Sequence, residues 1–533
     1  MRILRRGRRG YTLVPLRDRW EVEPPDENRT VTSTLAGNKS VLQEVFDRAG
    51  DLVIHEFMIA HQKPAMIAFI DSLVNYQHLQ QGLLRFLQAE QDLPPGVTMA
   101  WLQQEVIPLG RMREENRWVE ITENICGGYI SLFVEGEPTV LLISILEDNS
   151  RGVNQPTTET VVRGPADAFN EDLRTNIALL RKRLKTSRLA VENLKLGEAT
   201  KTSACLVYLK GYVASGLVEE IYSRIQRIKV DSILGSGQVE EYIDDNPYSP
   251  FSTVAATERP DNLAAQLLEG KAGLIMDNSP FALVVPTMLA SQVISPEDYY
   301  NRYWFASMIR ILRWGSLLTA LLGPAFYIAI STFHQELIPP SLLFSIIVAR
   351  EGIPFPALVE AALMELTFEV LREGGVRLPR PFGQTISIVG AIVIGQAAVS
   401  AGLVSPVMVI VVALTAIASF TIPSVTLSNT VRILRFPFML AGAFLGLFGV
   451  ATGFSVLVFH LCALRSFGVP YLSPLAPHSL GDLKDTFVRV PAWMMRLRPR
   501  LTGYREPERQ NSDLQPAPPS RMTPARGPKG GKR

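Results

Sequence analysis

The chain has 533 residues, a formal net charge of +2 and 20% charged residues, a composition that an ordinary enzyme also shows. Its three cysteines, Cys126, Cys205 and Cys462, are far apart, which excludes a disulfide framework and a cysteine-rich metal site. The phosphate-loop, nucleophile-elbow, zinc-protease and dinucleotide-binding motifs are absent. We therefore predict that the protein is not an enzyme and has no catalytic residue, cofactor or metal site.

Residues 1–38 are predicted to form a basic, disordered arm. Seven arginines and a single acidic residue occupy the first twenty positions. No apolar segment follows them, so a cleavable secretory signal is excluded. A solvated arm is favoured over a nucleic-acid-binding one, and no nucleic-acid partner is predicted. Contact with anionic lipid head groups is the alternative role of this arm.

Two short patterns occur twice, in the same order, in the first 300 residues. The sequence IDSL at 70–73 is echoed by VDSI at 230–233, and LFVEGEP at 132–138 is echoed by LIMDNSP at 274–280. The second pattern predicts a β-hairpin in both copies, because glycine or asparagine supplies the positive φ of a tight turn. The repetition favours two related α/β subdomains, over residues 39–150 and 151–300, with a polar linker near 151–160.

The charges disappear from long stretches of the second half. Residues 381–431 contain no Asp, Glu, Lys or Arg over 51 positions, and 436–464 and 314–335 contain none over 29 and 22. A bilayer core needs roughly 20 apolar helical residues, and soluble helices normally keep a polar face. We therefore predict an all-α polytopic membrane domain over 301–470. Its predicted crossings are 314–333, a broken segment of 341–349 and 356–373, 386–404, 407–423 and 437–464.

The broken segment carries the candidate functional residues. Charged groups within a bilayer are costly and usually face the bundle interior or a water-filled path. Helical spacing places Glu360, Leu363, Met364 and Thr367 on one face, and these are the predicted pore-lining residues. The predicted embedded or boundary charges are Arg350, Glu351, Glu365 and Glu369. For Glu360, an ion pair with Arg350 inside the bundle is the competing role, and Glu369 has the alternative role of marking the membrane boundary.

The number of crossings stays open at five or six. Five would place the two ends on opposite sides of the membrane, whereas six would place both ends in the cytoplasm. From Arg465 onward there are thirteen Lys or Arg and five acidic residues, which favours a cytoplasmic tail over 471–533. Frequent proline predicts disorder at the end of this tail. Trp493 and Met494, beside Arg489, Arg496 and Arg498, predict a contact with the lipid surface.

Three separated groups of residues resemble the A subunit of GerA-type spore germinant receptors. The first runs from Arg163-Gly164-Pro165 to LRTNI at 173–177, and the second from RPD at 259–261 to DNSPF at 277–281. The third runs from Glu365-Leu366 to RLP at 377–379. The resemblance covers roughly residues 40–495. The chain departs from it in its arginine-rich start, its long tail and Asn278, where the family commonly has glycine.

The resemblance implies a multi-pass protein of the spore inner membrane whose N-terminal half is cytoplasmic, in the spore core. It implies a homo-oligomer, a pentamer, that acts as a nutrient-gated cation channel with a transporter-like B subunit and a lipoprotein C subunit. One Glu360 per subunit would then form a carboxylate ring that favours cations, and Leu363 and Met364 would form a hydrophobic gate. The alternative function is a non-conducting membrane scaffold or a spore-specific paralogue that assists ion or solute release.

Overall fold

The computed structural model describes residues 2–7, 10–15, 29–88, 102, 112–145, 155–377, 395–478, 481–499, 508–511 and 514–516. Residues 386–394 of the predicted crossing, residues 151–154 of the predicted linker, and the end of the tail from 517 lie outside these residues. Part of the predicted basic arm has regular secondary structure, since strands β1 (Arg2–Gly7) and β2 (Gly10–Pro15) pair antiparallel. A helix that starts at Leu35 also lies partly within this predicted arm.

The first subdomain is a five-stranded antiparallel sheet with helices on both faces. Its strand order is β3-β4-β6-β7-β5. Strand β6 is buried along almost its whole length, because the helices cover both faces of the sheet. The elements in chain order are α1 (Leu35–Val45), β3 (Leu52–Ile59), β4 (Lys63–Ile70), the short helical turns Tyr76–Leu79, Gln80–Leu84 and Arg85–Gln88, β5 (Met112–Glu115), α2 (Trp118–Cys126), β6 (Tyr129–Val134) and β7 (Val140–Ser144).

The second subdomain repeats this arrangement strand for strand. Its order is β8-β9-β11-β12-β10 when its sheet is read in the same direction, so each strand has a counterpart in the first sheet. The elements in chain order are α3 (Leu173–Arg183), β8 (Leu189–Leu196), β9 (Thr202–Leu209), α4 (Ser215–Gln226), α5 (Ser236–Ile243), β10 (Ala255–Thr257), α6 (Pro260–Leu268), β11 (Ala272–Met276) and β12 (Ala282–Val285). The predicted α/β class of this half is therefore confirmed.

The predicted hairpins occupy equivalent places in the two sheets. Leu132 pairs with Leu141 in the first hairpin, and Leu274 pairs with Leu283 in the second. The turn residues Gly136 and Asn278 have φ of 88° and 62°, as the sequence predicts. The other repeated pattern is not equivalent, since 70–73 follows strand β4 whereas 230–233 follows helix α4. That similarity is a coincidence of sequence, and the subdomain limits stay predictions.

A buried asparagine closes the same loop before the first helix of each subdomain. The Asn38 side chain accepts from the Thr32 N–H at 3.0 Å and donates to the Thr32 carbonyl at 2.7 Å. The Asn176 side chain makes the same two bonds to Asn170, at 2.8 and 2.6 Å. Such paired bonds satisfy both main-chain groups of a residue that lies two positions before the helix N-cap. The repetition of this detail extends the relation between the subdomains beyond strand order.

The two subdomains are joined by a buried ion pair. The Arg181 guanidinium, which is fully buried, donates two bonds to the Asp51 carboxylate at 2.9 and 2.8 Å. Lys210 is also buried there and donates to the Asp47 carbonyl at 2.7 Å, and burial lowers its pKa to about 8. The Gly50 N–H donates to the Val191 carbonyl at 2.8 Å, so the main chains are linked as well. These contacts fix the subdomains relative to each other.

The second half of the chain is helical. Its helices are α7 (Tyr303–Phe333), α8 (Pro340–Arg350), α9 (Ala357–Arg377), α10 (Pro406–Phe420) and α11 (Val425–Ala463), and residues 395–400 are also helical. Within the described residues, α7 and α11 are long and apolar enough to cross a membrane. Helix α8 has no buried residue.

Helix α11 is a hairpin of two antiparallel arms and not the single crossing predicted over 437–464. Gly446 has φ 62° and ψ −146°, outside the helical region, and the chain reverses there. Gly453 of the second arm consequently packs against the Phe438 ring of the first, and Gly449 lies against Ala441. A side chain at Gly449 would collide with the Ala441 carbonyl group. The arms, 425–445 and 447–463, are about 31 and 25 Å long at 1.5 Å per residue.

The bundle has a near end, which touches the soluble half, and a far end. At the near end the Thr430 hydroxyl donates to the Pro250 carbonyl at 2.6 Å, and His460 contacts Ser249 at 2.9 Å. At the far end the turn at Gly446 lies against His334, just past the end of α7. Both arms of α11 therefore begin or finish at the near end and meet at the far end.

The segment after the bundle packs on the soluble half. Tyr471 is fully buried and its hydroxyl accepts from the Gln292 amide at 3.1 Å. Arg489 donates to the Asp298 carbonyl at 2.8 Å, and Arg498 donates to the Leu268 carbonyl at 2.8 Å. The predicted lipid contact is therefore wrong for Arg489 and Arg498, whose side chains bind main-chain carbonyl groups of this protein.

Candidate functional site: charged side chains among the apolar helices

Helix α9 supplies the acidic side chains of the site. It begins at the far end after Gly352-Ile353-Pro354, which ends α8, and the Pro356 carbonyl accepts from the Glu360 N–H at 3.2 Å. It finishes at the near end, where the Phe368 ring contacts the ring of Phe420. The successive acids of α9 therefore lie at different depths of the bundle.

Of the acids on α9, Glu360 lies nearest the far end, and its carboxylate forms an ion pair with Arg350. Its side chain is fully buried, and the Arg350 guanidinium donates to its Oε1 at 3.0 Å. The other oxygen accepts from the Ser405 N–H at 2.9 Å, at the N-terminus of α10. A carboxylate at a helix N-terminus is stabilised by the helix dipole. This arrangement is the ion pair with Arg350 that is the competing role of Glu360.

Glu365 is buried in the middle of the bundle. It accepts from Arg435 of the first arm of α11, whose Nε also donates to the Ala320 carbonyl of α7 at 2.8 Å. One oxygen of Glu365 and one terminal nitrogen of Arg435 have no hydrogen-bond partner among the described residues. This pair thus connects three helices while part of its bonding capacity stays unused.

Glu369 lies one turn beyond Glu365 on α9 and pairs with a second arginine of α11. Arg432 of α11 binds it through two nitrogens, and its Nε lies 2.8 Å from Glu369 Oε1. Arg432 also donates to the Asn429 amide oxygen at 2.9 Å. Arg372 follows one turn later and lies over the Phe420 ring, 5.4 Å from its centroid. Glu369 is therefore held by an ion pair within the bundle, and its role as a boundary charge stays a prediction.

The predicted pore-lining residues divide into two environments in the single chain. Glu360 and Met364 are buried, whereas Leu363 is exposed and Thr367 is half-buried. The Thr367 hydroxyl donates back to the Leu363 carbonyl at 2.7 Å and so is satisfied within its own helix. Among the predicted boundary charges, Glu351 is exposed. The pore-lining role of these residues stays a prediction.

Sequence reasoning missed Arg432 and Arg435, which hold two of the three acids. A signal was present, because these two cations are three residues apart and separate the two long charge-free runs. Their spacing puts them on one helical face, as the spacing of Glu365 and Glu369 does for the acids. The sequence alone did not indicate that Arg432 pairs with Glu369, 63 residues away, and Arg435 with Glu365, 70 residues away.

A second charged cluster holds the base of α7 against the soluble half. The buried Asp298 carboxylate accepts from Arg310 at 2.8 Å and from Arg313 at 2.9 Å. Arg310 also donates to the carboxylate and the carbonyl of Asp485, both at 2.6 Å. Burial beside Asp485 raises the pKa of the Tyr299 hydroxyl well above its ordinary value. This junction cluster ties α7, the soluble half and the C-terminal segment together.

The bundle charges can act in two ways. As formed, each cation neutralises one acid, which lowers the cost of holding charge among apolar helices. If a pair separates, the freed carboxylate becomes a site for a cation or water within the bundle.

The family model of the Bacillus/Clostridium GerA spore germination protein matches residues 40–501 of this chain. The chain belongs to the GerA family. Its match includes both subdomains, the helical half and most of the C-terminal segment that the structure describes. Spore germination is therefore the biological setting of this GerA-family protein.

Curated relatives match over most of their length. Spore germination protein KA of Bacillus subtilis (strain 168) is 40% identical over 92% of this chain and 90% of its own. The uncharacterized membrane protein YfkQ of the same organism is 42% identical over 89% and 92%. A crystal structure of the N-terminal domain of the A subunit of the Bacillus megaterium germinant receptor GerK3 is 30% identical, covers 49% of this chain and 98% of that chain, and has a TM-score of 0.40.

Proposed function

We propose that this GerA-family protein is the A subunit of a nutrient-responsive spore germination receptor in the spore inner membrane, with its soluble half in the cytoplasm of the spore core. Family membership and the relatives named as spore germination proteins support the setting. Two apolar helices of spanning length support the membrane location. Transporter-like B and lipoprotein C subunits are its proposed partners, together with membrane lipids.

We further infer six passes, with both ends of the chain on the cytoplasmic side. Helices α7, α9, α10 and the two arms of α11 each run between the near and far ends. The sixth pass is the crossing predicted over 386–404, of which Gly402, at the far end, lies beside Gly352. Arg310 and Arg313 lie at the near end, and cationic residues favour the cytoplasmic face.

Several copies of the chain form a gated cation channel in this proposal. The observation that carries it is the row of carboxylates Glu360, Glu365 and Glu369 along one helix of an apolar bundle. Such residues are rare in bilayers and mark ion paths or relays. A second copy would also find an apolar surface ready, since α8 is exposed along its length in the single chain. A pentamer is the proposed assembly.

The structure corresponds to the closed form in this account. Arg350 neutralises Glu360 and withholds it from any path between copies. Opening requires α8 to move, because Arg350 is the last residue of that helix. Glu360 would then join Thr367, with Leu363 and Met364 as the apolar constriction that wets on opening.

The second candidate function is a non-conducting scaffold or a paralogue that assists solute release. One observation favours it: each of the three bundle acids already has an arginine partner, as expected of charges that only hold helices together. A channel must break at least the Arg350–Glu360 pair, whereas a scaffold keeps all three.

Mass and conductance of the purified full chain separate the two functions. The protein in detergent is sized by light scattering and then placed in planar bilayers. An oligomer that passes cation-selective current supports the channel. A monomer that passes no current, also after the B and C subunits are added, rejects the channel and leaves the scaffold.

A further inference from the structure

A buried lysine at the junction of the two halves has no hydrogen-bond or ion-pair partner within reach among the described residues. Lys271 is 1% exposed, and its ammonium makes no hydrogen bond or ion pair among the described residues. Burial lowers its pKa, and the Glu269 carboxylate offsets only part of that effect. An isolated buried ammonium is costly, so proteins rarely keep one without a use.

The fold itself does not require this lysine. Lys271 lies three residues before Leu274, and the equivalent position of the first subdomain, three residues before Leu132, is Tyr129. Glu269 likewise corresponds to Gly127. Both subdomains have the same strand order, so a tyrosine serves at this position in one and the lysine is a specific addition to the other.

Lys271 lines two neighbouring cavities and lies in the wall between them. One cavity of about 840 Å³ is bounded also by Tyr299 and the C-terminal segment, and one of about 510 Å³ is bounded by the loop from Phe420 to Thr426. The Gln266 side chain belongs to the same wall, and its buried amide oxygen has no donor among the described residues. Among the described residues, a donor without an acceptor and an acceptor without a donor therefore lie in the wall between these two cavities.

The chemistry of this wall defines the ligand. The Lys271 ammonium can donate hydrogen bonds to a negatively charged oxygen, and the Gln266 amide oxygen can accept one from a hydroxyl or N–H group. We propose that Lys271 and Gln266 bind a small oxyanion that carries its own hydroxyl group, such as dihydrogen phosphate or a hydroxycarboxylate. The source is either a free solute or the head group of phosphatidic acid. The site goes beyond the proposed channel and does not depend on conduction.

The position of the site gives binding a consequence. Its two cavities border Asp485 and Tyr299 of the junction cluster on one side and the loop between α10 and α11 on the other. A bound oxyanion contacts the soluble half and lies beside chain segments that lead directly into the bundle. Occupancy therefore stabilises the junction.

Thermal unfolding of the purified full chain in detergent tests the site, with inorganic phosphate, glycolate and phosphatidic-acid-doped micelles as separate probes. We expect a saturable rise in Tm for at least one probe, with chloride as the reference anion. Lys271→Met should weaken the apparent affinity at least tenfold, and Lys229→Met, at an exposed lysine of the same subdomain, should leave it unchanged. Gln266→Leu should weaken it while Lys271→Arg retains binding.

Three results would overturn the proposal. The first is that no probe raises Tm in the unsubstituted chain, and the second is that Lys271→Met keeps the full response. The third concerns the chain without ligand. The Tm of Lys271→Met should equal or exceed that of the unsubstituted protein, because the substitution removes a buried charge that has no ion pair among the described residues. A clear loss of stability would show that Lys271 is structural. A response to phosphatidic acid alone would assign the ligand to lipid, and a response to phosphate or glycolate to solute.

Discussion

Each half of the molecule buries an arginine–carboxylate pair, but the two pairs are bonded to different extents. Arg181 donates twice to Asp51 and also to the Thr186 and Leu189 carbonyls, at 3.2 and 3.0 Å, so each of its nitrogens has an acceptor. In the bundle, Arg435 and Glu365 each leave one polar atom without a partner among the described residues.

The difference concerns what each pair can do. Any movement of a fully bonded pair costs free energy, because the protein interior offers neither side chain an equal hydrogen-bond partner in exchange. A partly bonded pair can admit a water or exchange partners at a smaller cost. The soluble half is thus built around one arrangement, whereas the bundle retains the capacity for a second one, which a gated path requires.

Breaking the pair between the subdomains should have the largest effect. Asp51→Asn leaves the Arg181 charge buried and uncompensated, and we expect the free energy of unfolding of the soluble half to fall by roughly 3–5 kcal/mol. Hydrogen exchange of strand β4 in the full chain measures the change. Asp47→Asn is the control, since its carboxylate is 62% exposed and 3.8 Å from Arg48. An equal fall in the free energy of unfolding for Asp51→Asn and Asp47→Asn would contradict the proposed difference between the two pairs.

The corresponding change in the bundle should cost less. Glu365→Gln also leaves the arginine charged, but the oxygen and nitrogen that this pair leaves without a partner among the described residues can be hydrated, so we expect destabilisation of about 1–3 kcal/mol, read as a lower Tm of the full chain in detergent. Glu351→Gln, at an exposed position, should stay within about 0.5 kcal/mol. A cost for Glu365→Gln above that for Asp51→Asn would reverse the comparison and make the bundle pair the rigid one.

The pH dependence of stability gives a further test, through Glu159, a half-buried acid without an ion pair among the described residues. Burial raises the pKa of Glu159 from 4.5 to about 7, while the Thr257 hydroxyl at 2.6 Å opposes the shift. The folded state therefore holds this proton more tightly than the unfolded state. Its contribution to stability is fully present below pH 4.5 and is lost as the pH rises through about 7.

Glu159→Gln should remove that part of the pH dependence of Tm. Glu198→Gln, at an exposed glutamate of the same subdomain, should retain it. This is the smallest of the expected effects on stability. A profile for Glu159→Gln that still declines between pH 4.5 and 7 would show that other groups cause the decline.

The parts of the molecule that the sequence predicted are those that local chemistry decides. The hairpin turns at Gly136 and Asn278 follow from a need for positive φ at one residue, and the acidic positions of α9 stand out against their apolar neighbours. The reversal at Gly446 left no such signal, because hydropathy is equally high on both sides of it. Arg435 and Glu365 meet only through tertiary packing, at a separation of 70 residues.

The most direct test of the account is cation flux through vesicles that contain the full chain, compared with Glu360→Gln and Arg350→Gln. We predict cation-selective flux in the unsubstituted protein, a lower flux or a weaker cation preference in Glu360→Gln, and a higher flux in Arg350→Gln, which frees the carboxylate. Selectivity that is unchanged in Glu360→Gln would remove this residue from the path and contradict the proposed gate.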